Sequence, residues 1–293
     1  MTDDKENTDK MTVKRMLCLT LVGMMLAGSA CAEEDTDVSF ADVSGLDLEI
    51  EVAYDDVAWN FPVDLADMEP DKIVLANKYM LLDKDFVSKP LVSVPNRKED
   101  KNGVNTNGGM LKASSGKMQL QKDCAEALVA MSEAAMQEGM KLYLKSAYRS
   151  YQTQKTMYYN RLQKNNGKDD GWVSKPGASD HQTGLGCDVV PRSWRDKSMN
   201  SKMASTEECQ WMAAHCAEYG FIIRYPEDKE AVTEINYEPW HLRYVGVPAA
   251  TYIMENGLCL EEFHDQLQQA IDEFLAAGGD RSLVEPFIQT SAE

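Results

Sequence analysis

Two short stretches of this sequence hold side chains suited to a catalytic zinc site. Ser179–Asp188 supplies His181 and Asp188, and Tyr237–Tyr244 supplies Glu238 and His241. Two imidazoles and one carboxylate can hold a zinc ion and leave a position open for water. The second carboxylate is then free to take that water's proton.

The spacing says how such a site would have to be built. His181 and Asp188 lie seven residues apart. On a helix they would share a face but stand about 10 Å apart along the axis. Helical ligands to one ion are usually only about three or four residues apart. A loop leading into a strand suits the pair better. His181 would sit before the turn, Gly184 and Gly186 would let the backbone bend, and Asp188 would project from the strand. Asp188 lies among Leu185, Val189 and Val190, and an aspartate in so apolar a run needs a strong partner such as a metal. Glu238 and His241 are separated by Pro239 and Trp240. Proline pushes Glu238 towards extended backbone, so this is not the helical H-E-x-x-H device. The kink can still aim both residues at one cavity, with Glu238 as the general base.

Each of these residues alone would be weak. A lone histidine is usually a core or surface residue, and a lone strand aspartate an edge or turn residue. His215 and His264 sit in ordinary helical settings and receive no role. The joint occurrence of the four, in glycine- and aromatic-rich surroundings, is what points to a metal. A third stretch, Ser146–Gln152, contributes Arg149, which could face a carboxylate or a developing oxyanion. Standing alone, Arg149 would read as half of a surface ion pair.

The elements that must position these groups follow from periodicity. An amphipathic helix is predicted over 121–139, with Ala125, Leu128, Met131 and Ala135 as its apolar stripe. Strands are predicted over 141–145, 185–190, 221–224 and 240–245. Further helices are predicted over 151–163, 206–219, 248–256 and 260–277, the last with Leu260, Phe263, Leu267, Ile271 and Leu275 in one stripe. Residues 46–52 alternate strictly and read as a half-buried strand. Residues 95–109 and 165–177 read as polar loops. The fold class is α+β: short strands among segregated helices.

The bulk properties narrow the setting. Of 293 residues, the net charge of -18 falls wholly after residue 31, because residues 1–31 hold equal numbers of acids and bases. So acidic a surface argues against nucleic acid and against electrostatic docking on anionic lipid. Lys14 and Arg15 precede a twelve-residue apolar run, Met16–Ala27, and then small residues. That is the pattern of a secretory signal, and the run is too short to span a bilayer. The acidic preface makes Met11 an alternative start. Gly28–Cys31 resembles a lipobox, which makes Cys31 the candidate lipid anchor; simple secretion is the alternative. Cys124, Cys187, Cys209, Cys216 and Cys259 form no C-x-x-C pair, so a structural zinc cluster is not expected. Cys209 and Cys216 read as core residues rather than as a disulfide.

Four blocks together resemble a known family. Ser146–Ser150, Ser179–Asp188, Gly220–Pro226 and Tyr237–Gly246 are similar to the motifs of the VanY-type D-alanyl-D-alanine carboxypeptidases, related to the VanX dipeptidases within the lysostaphin/hedgehog-like zinc peptidases. The resemblance covers roughly residues 72–262. It implies a small antiparallel sheet holding a zinc site, flanked by helices. It implies zinc on His181, Asp188 and His241, Glu238 as catalytic base, and Arg149 polarising the scissile carbonyl. Ser179 would contact substrate or support a ligand, and Ser146, Tyr148, Gln152 and Trp240 would line the substrate groove. Ala147 stands where the family commonly has glycine, and Gly186-Cys187 where it has Ala-Val; small residues replace small ones.

The implied substrate is a peptidoglycan stem peptide ending in D-Ala, met outside the cytoplasm. An L,D-carboxypeptidase or an endopeptidase could share the site. A non-catalytic wall-binding module is the alternative of another class, and retention of Glu238 argues against it. The expected division is a signal at 1–31, an extension at 32–71, the peptidase domain at 72–262 and a helical tail at 263–293.

Overall fold

A computed structural model describes residues 57–86, 89–102, 104–106 and 111–289. The signal segment, Cys31 and the strand expected over 46–52 lie outside the described residues. Among the described residues no helix is long and apolar enough to cross a membrane.

The strands are β1 (Leu91–Ser93), β2 (Lys112–Ala113), β3 (Gln119–Gln121), β4 (Leu142–Ser146), β5 (Gly186–Pro191), β6 (Phe221–Ile223) and β7 (His241–Tyr244). The helices are α1 (Lys122–Gln137), α2 (Tyr151–Lys164), α3 (Glu207–His215), α4 (Glu230–Thr233), α5 (Val247–Glu255), α6 (Leu260–Ala276) and α7 (Arg281–Val284). β1 and β3 form an antiparallel pair, and the main sheet runs β2-β4-β5-β7-β6. Its β4, β5, β7 and β6 pair antiparallel; β2 joins the edge in parallel. The α+β expectation holds. β1, β2 and β3 were not anticipated, because two or three residues are too few to show alternation.

The predicted stripe of α1 is its buried face: Ala125, Leu128, Met131 and Ala135, joined by Cys124 and Ser132. It packs on the sheet in one core with Leu144, Leu185, Val189 and Leu242. β5 is buried along its whole length, which is why its residues are apolar on both faces and why Asp188 stands out there. The helix expected over 206–219 is shorter than its periodicity suggests. It ends at His215, tightens into a 3₁₀ turn at Cys216–Tyr219, and stops at Gly220 with φ +79°. The five described cysteines are free and buried.

A second core lies on the other side of the chain's order. Trp59 and Phe61 pack edge-on against Phe274 and Phe263, with centroids 5.7 Å apart in both pairs. The Gln289 side chain donates to the Leu75 carbonyl at 2.6 Å and accepts from the Leu75 amide at 2.8 Å. Segments far apart in sequence therefore bury one another. Phe263 is fully buried at the centre of this cluster. Phe263→Ala is expected to cost about 3–5 kcal/mol of stability through lost burial and a residual cavity, read as a lowered urea midpoint; a loss within experimental error would show that this core does not hold the fold.

Candidate metal centre

Three adjacent strands bring the site together. Ser146 on β4 stands opposite Asp188 on β5, and Asp188 stands opposite His241 on β7. The β4 register shifts between Leu144 and Ser146, which re-aims the strand end towards the site. Cross-strand neighbours in register lie about 5 Å apart. Pairing thus fixes Asp188 and His241 side by side although 53 residues separate them in sequence.

His181 arrives from a 3₁₀ turn, Asp180–Thr183, that ends at Gly184 with φ +73°. Gly184 supplies the left-handed residue expected of it. Gly186 has no such dihedral; its part is close approach. A Cβ there would lie 2.8 Å from Asp180 Cβ and 2.9 Å from the Asp180 carbonyl carbon. The His181 turn therefore rests directly on the start of β5.

His181, Asp188 and His241 are all buried, and the ligand atoms they offer lie within 4.8 Å of one another. His181 Nδ1 is 2.6 Å from the Ala147 carbonyl. That carbonyl can only accept, so Nδ1 carries the proton and Nε2 presents its lone pair. Nε2 is 3.4 Å from Asp188 Oδ2. His241 Nδ1 is 3.2 Å from Asp188 Oδ1 and 3.4 Å from Glu238 Oε2. His241 Nε2 is buried without a hydrogen-bond partner.

The electrostatics of these groups suit a cation. Burial opposes ionisation of Asp188, yet the two imidazoles hold its carboxyl well below the usual range. Burial keeps His181 neutral, with the Arg149 charge adding to the effect. Burial raises the Glu238 pKa. Burial also works against a charged His241, but the hydrogen bonds its ring donates to Asp188 and Glu238 overcome it and lift the ring to about 9. With protein groups alone, two carboxylates draw a proton onto His241. A divalent cation among the same atoms supplies that positive charge and displaces the proton. The donor set of two imidazoles and one carboxylate fits zinc.

Around the centre lies a cavity of about 200 Å³ lined by Arg149, Ser179, His181, Asp188, Glu238, Trp240 and His241, among others. Arg149 follows β4. Its amide donates to the His181 carbonyl at 3.1 Å, and its Nη2 lies 3.9 Å from Asp188 Oδ2. The guanidinium donates to Gln154 Oε1 at 2.7 Å and to Ser146 Oγ at 3.2 Å. Trp240 stacks on Trp172, with centroids 6.4 Å apart and planes 11° from parallel.

Not every expected groove residue reaches this cavity. Ser146 is set back behind Arg149, which it helps to hold. Tyr148 and Gln152 are exposed and do not line the cavity. Gln152 sits in the first turn of α2, whose inward residues are Gln154 and Tyr158. The glutamine at the site is Gln154: it takes the Arg149 bond and donates to the Ser174 carbonyl at 2.6 Å. Sequence reasoning also missed Asp180, Arg224 and Arg243, which are fully buried beside the ligand-bearing turn and strand. Arg224 and Arg243 are charges inside apolar runs, the signal that had singled out Asp188; Asp180 lies among polar neighbours and carries no such signal.

The chain is similar in sequence and fold to known proteins. Residues 117–247 match the family model described as VanY, D-alanyl-D-alanine carboxypeptidase. The chain is 36% identical over 133 residues to VanXYC of Enterococcus gallinarum, a bifunctional D-Ala-D-Ala dipeptidase and D-Ala-D-Ala carboxypeptidase, covering 45% of this chain and 70% of that one. It is 43% identical over 154 residues to YodJ of Bacillus subtilis, covering 52% of this chain and 56% of YodJ. The match thus spans little more than half of YodJ. Among solved structures, the LdcB LD-carboxypeptidase is 37% identical with a TM-score of 0.56, covering 67% of this chain and 87% of that one. The chain belongs to the VanY family of D-alanyl-D-alanine carboxypeptidases.

Proposed function

We propose that this chain is a zinc-dependent carboxypeptidase that removes the terminal D-alanine from peptidoglycan stem peptides. The observation that carries the reading is the convergence of His181, Asp188, His241, Glu238 and Arg149 on one buried cavity. His181, Asp188 and His241 would hold the zinc. Bound there, zinc would supply Lewis acidity at the scissile carbonyl and lower the pKa of water to about 7.

The chain's own residues supply the rest. Glu238 takes a proton from the attacking water and returns it to the departing D-alanine amine. Its burial raises its proton affinity, so it serves as a stronger base than an exposed glutamate and as an acid in the return step. Arg149 faces the negative charge that develops on the carbonyl oxygen, and Gln154 and Ser146 hold its guanidinium in place. The Ala147 carbonyl keeps His181 in one tautomer. The Trp172–Trp240 stack gives the cavity an apolar wall.

A second reading is favoured by one observation, the similarity to the LdcB LD-carboxypeptidase over 87% of that chain. On that reading the bond cut is the one before D-alanine in a tetrapeptide. Release of free D-alanine from pentapeptide and tetrapeptide stems decides between the two readings. The D,D reading expects release from the pentapeptide alone, and release from the tetrapeptide alone would overturn it. We also propose that the chain acts outside the cytoplasm, with Cys31 as a lipid anchor. The basic, apolar and small-residue order of 14–30 supports this, and so does the location of the substrate.

A further inference from the structure

Behind the three ligand residues lies a second cluster of charge, wholly inside the protein. Asp180, Arg224 and Arg243 are each 0% exposed and Glu261 is 6% exposed. Arg224 Nε donates to Asp180 Oδ2 at 2.7 Å, while its Nη1 and Nη2 donate to Glu261 Oε2 and Oε1 at 2.7 and 2.6 Å. Arg243 Nη1 donates to Asp180 Oδ1, and its Nη2 donates to the carbonyls of Lys72 and Val74 at 2.9 and 2.8 Å. Two carboxylates balance two guanidiniums, and the Arg224–Glu261 contact is a two-pronged fork.

Stability does not account for such a cluster. Well-packed apolar side chains in place of a buried ion pair are often as stable or more so. Position explains it better, because Asp180, Arg224 and Arg243 each adjoin an element that carries a ligand. Asp180 directly precedes His181. Arg243 follows His241 by two residues on β7. The Arg224 amide donates to the His241 carbonyl at 3.0 Å. The cluster ties the turn that carries His181 to the strand that carries His241. Its far end, Glu261, belongs to α6, beyond the 117–247 family match.

We propose that Glu261 is a positioning residue of the metal centre. By gripping both Nη atoms of Arg224 it fixes the guanidinium that fixes Asp180, and through Asp180 it sets the His181 turn against His241. α6 thereby serves the site from beyond the 117–247 match. The inference rests on the reading of His181, Asp188 and His241 as zinc ligands.

Zinc affinity of the full chain, measured by competition with a chromophoric chelator, tests it. Glu261→Gln keeps the side chain's size and removes its charge. It is expected to weaken zinc binding about 10- to 100-fold, as loss of a supporting partner commonly does, and to alter the visible absorption of the cobalt(II)-substituted protein. Leu267→Ala, on the same helix and buried outside the cluster, is expected to lower the unfolding midpoint and leave zinc affinity unchanged. Arg224→Lys keeps the charge but loses the fork, and is expected to weaken zinc binding as well; it carries the test if Glu261→Gln does not fold. Wild-type zinc affinity in folded Glu261→Gln or Arg224→Lys would overturn the proposal, as would an equal loss in Leu267→Ala. A wild-type chain that binds no zinc would instead overturn the metal reading on which the proposal stands.

Discussion

Glu238→Gln is expected to lower kcat for D-alanine release by about 100- to 10,000-fold, the usual contribution of a positioned general acid–base group. The variant should keep its zinc, because Glu238 is not one of the three ligand residues whose atoms converge. The amide preserves the side chain's shape but cannot take a proton from water or return one to the leaving amine. The carboxylate lies 3.4 Å from His241 Nδ1 and is 8% exposed, so little bulk water is at hand to replace it as a proton acceptor. KM should change far less than kcat, since proton transfer belongs to the transition state. Steady-state kinetics on a pentapeptide stem, with metal content measured on the same sample, check this. A kcat within a few-fold of wild type would remove Glu238 from the chemistry.

Asp180→Ala is expected to cost about 3–5 kcal/mol, the loss seen when one partner of a buried ion pair is removed. Asp180 neutralises part of two guanidiniums that have no access to solvent. Without it Arg243 keeps only main-chain carbonyls as partners, and Arg224 keeps Glu261 as its carboxylate and the Ala76 carbonyl. The buried charge on Arg243 is then uncompensated, which is the expensive case. The effect should appear as a lower urea midpoint at unchanged slope. A loss below about 1 kcal/mol, the scale of an exposed pair, would mean that water reaches the guanidiniums and that the cluster is not closed.

How much of this was visible beforehand depends on the range of the interaction. The metal-ligand candidates are legible because their information is local. Residue type names the donor atoms, the seven-residue gap favours a loop and strand over a helix, and Pro239 argues against the helical zinc device. The long helices are legible for the same reason: α1 buries the stripe that its periodicity marks, and α6 buries Leu260, Phe263, Leu267 and Ile271 of its stripe, with Phe274 rather than Leu275 completing the face. The register that sets Ser146, Asp188 and His241 abreast is not legible, because strand pairing is a choice among distant partners. The Gln154 role was hidden for a different reason. α2 turns inward through a polar residue, so hydrophobic periodicity passes over it and the more conspicuous Ser146–Gln152 motif draws attention to Gln152. Arg224 and Arg243 could have been found, whereas Asp180, set among Ser179, His181 and Gln182, could not. The rule that a charge in an apolar run needs a partner applies to Ile223-Arg224 and Leu242-Arg243 as well as to Asp188. Which carboxylate answers which guanidinium was beyond it, since Glu261 lies 37 residues from Arg224. Trp59 and Phe61 are apolar enough to demand burial, but nothing in their own segment names Phe263 and Phe274 as the surface that receives them.

The central claim is a zinc centre that cuts a D-alanyl end, and one measurement tests it most directly. The purified chain is incubated with a pentapeptide stem before metal removal, after chelation, and after one equivalent of zinc is restored, with free D-alanine quantified each time. The account predicts release, loss of release, and recovery, in that order. Release that survives complete removal of the metal, or no release from the zinc-loaded chain, would contradict it.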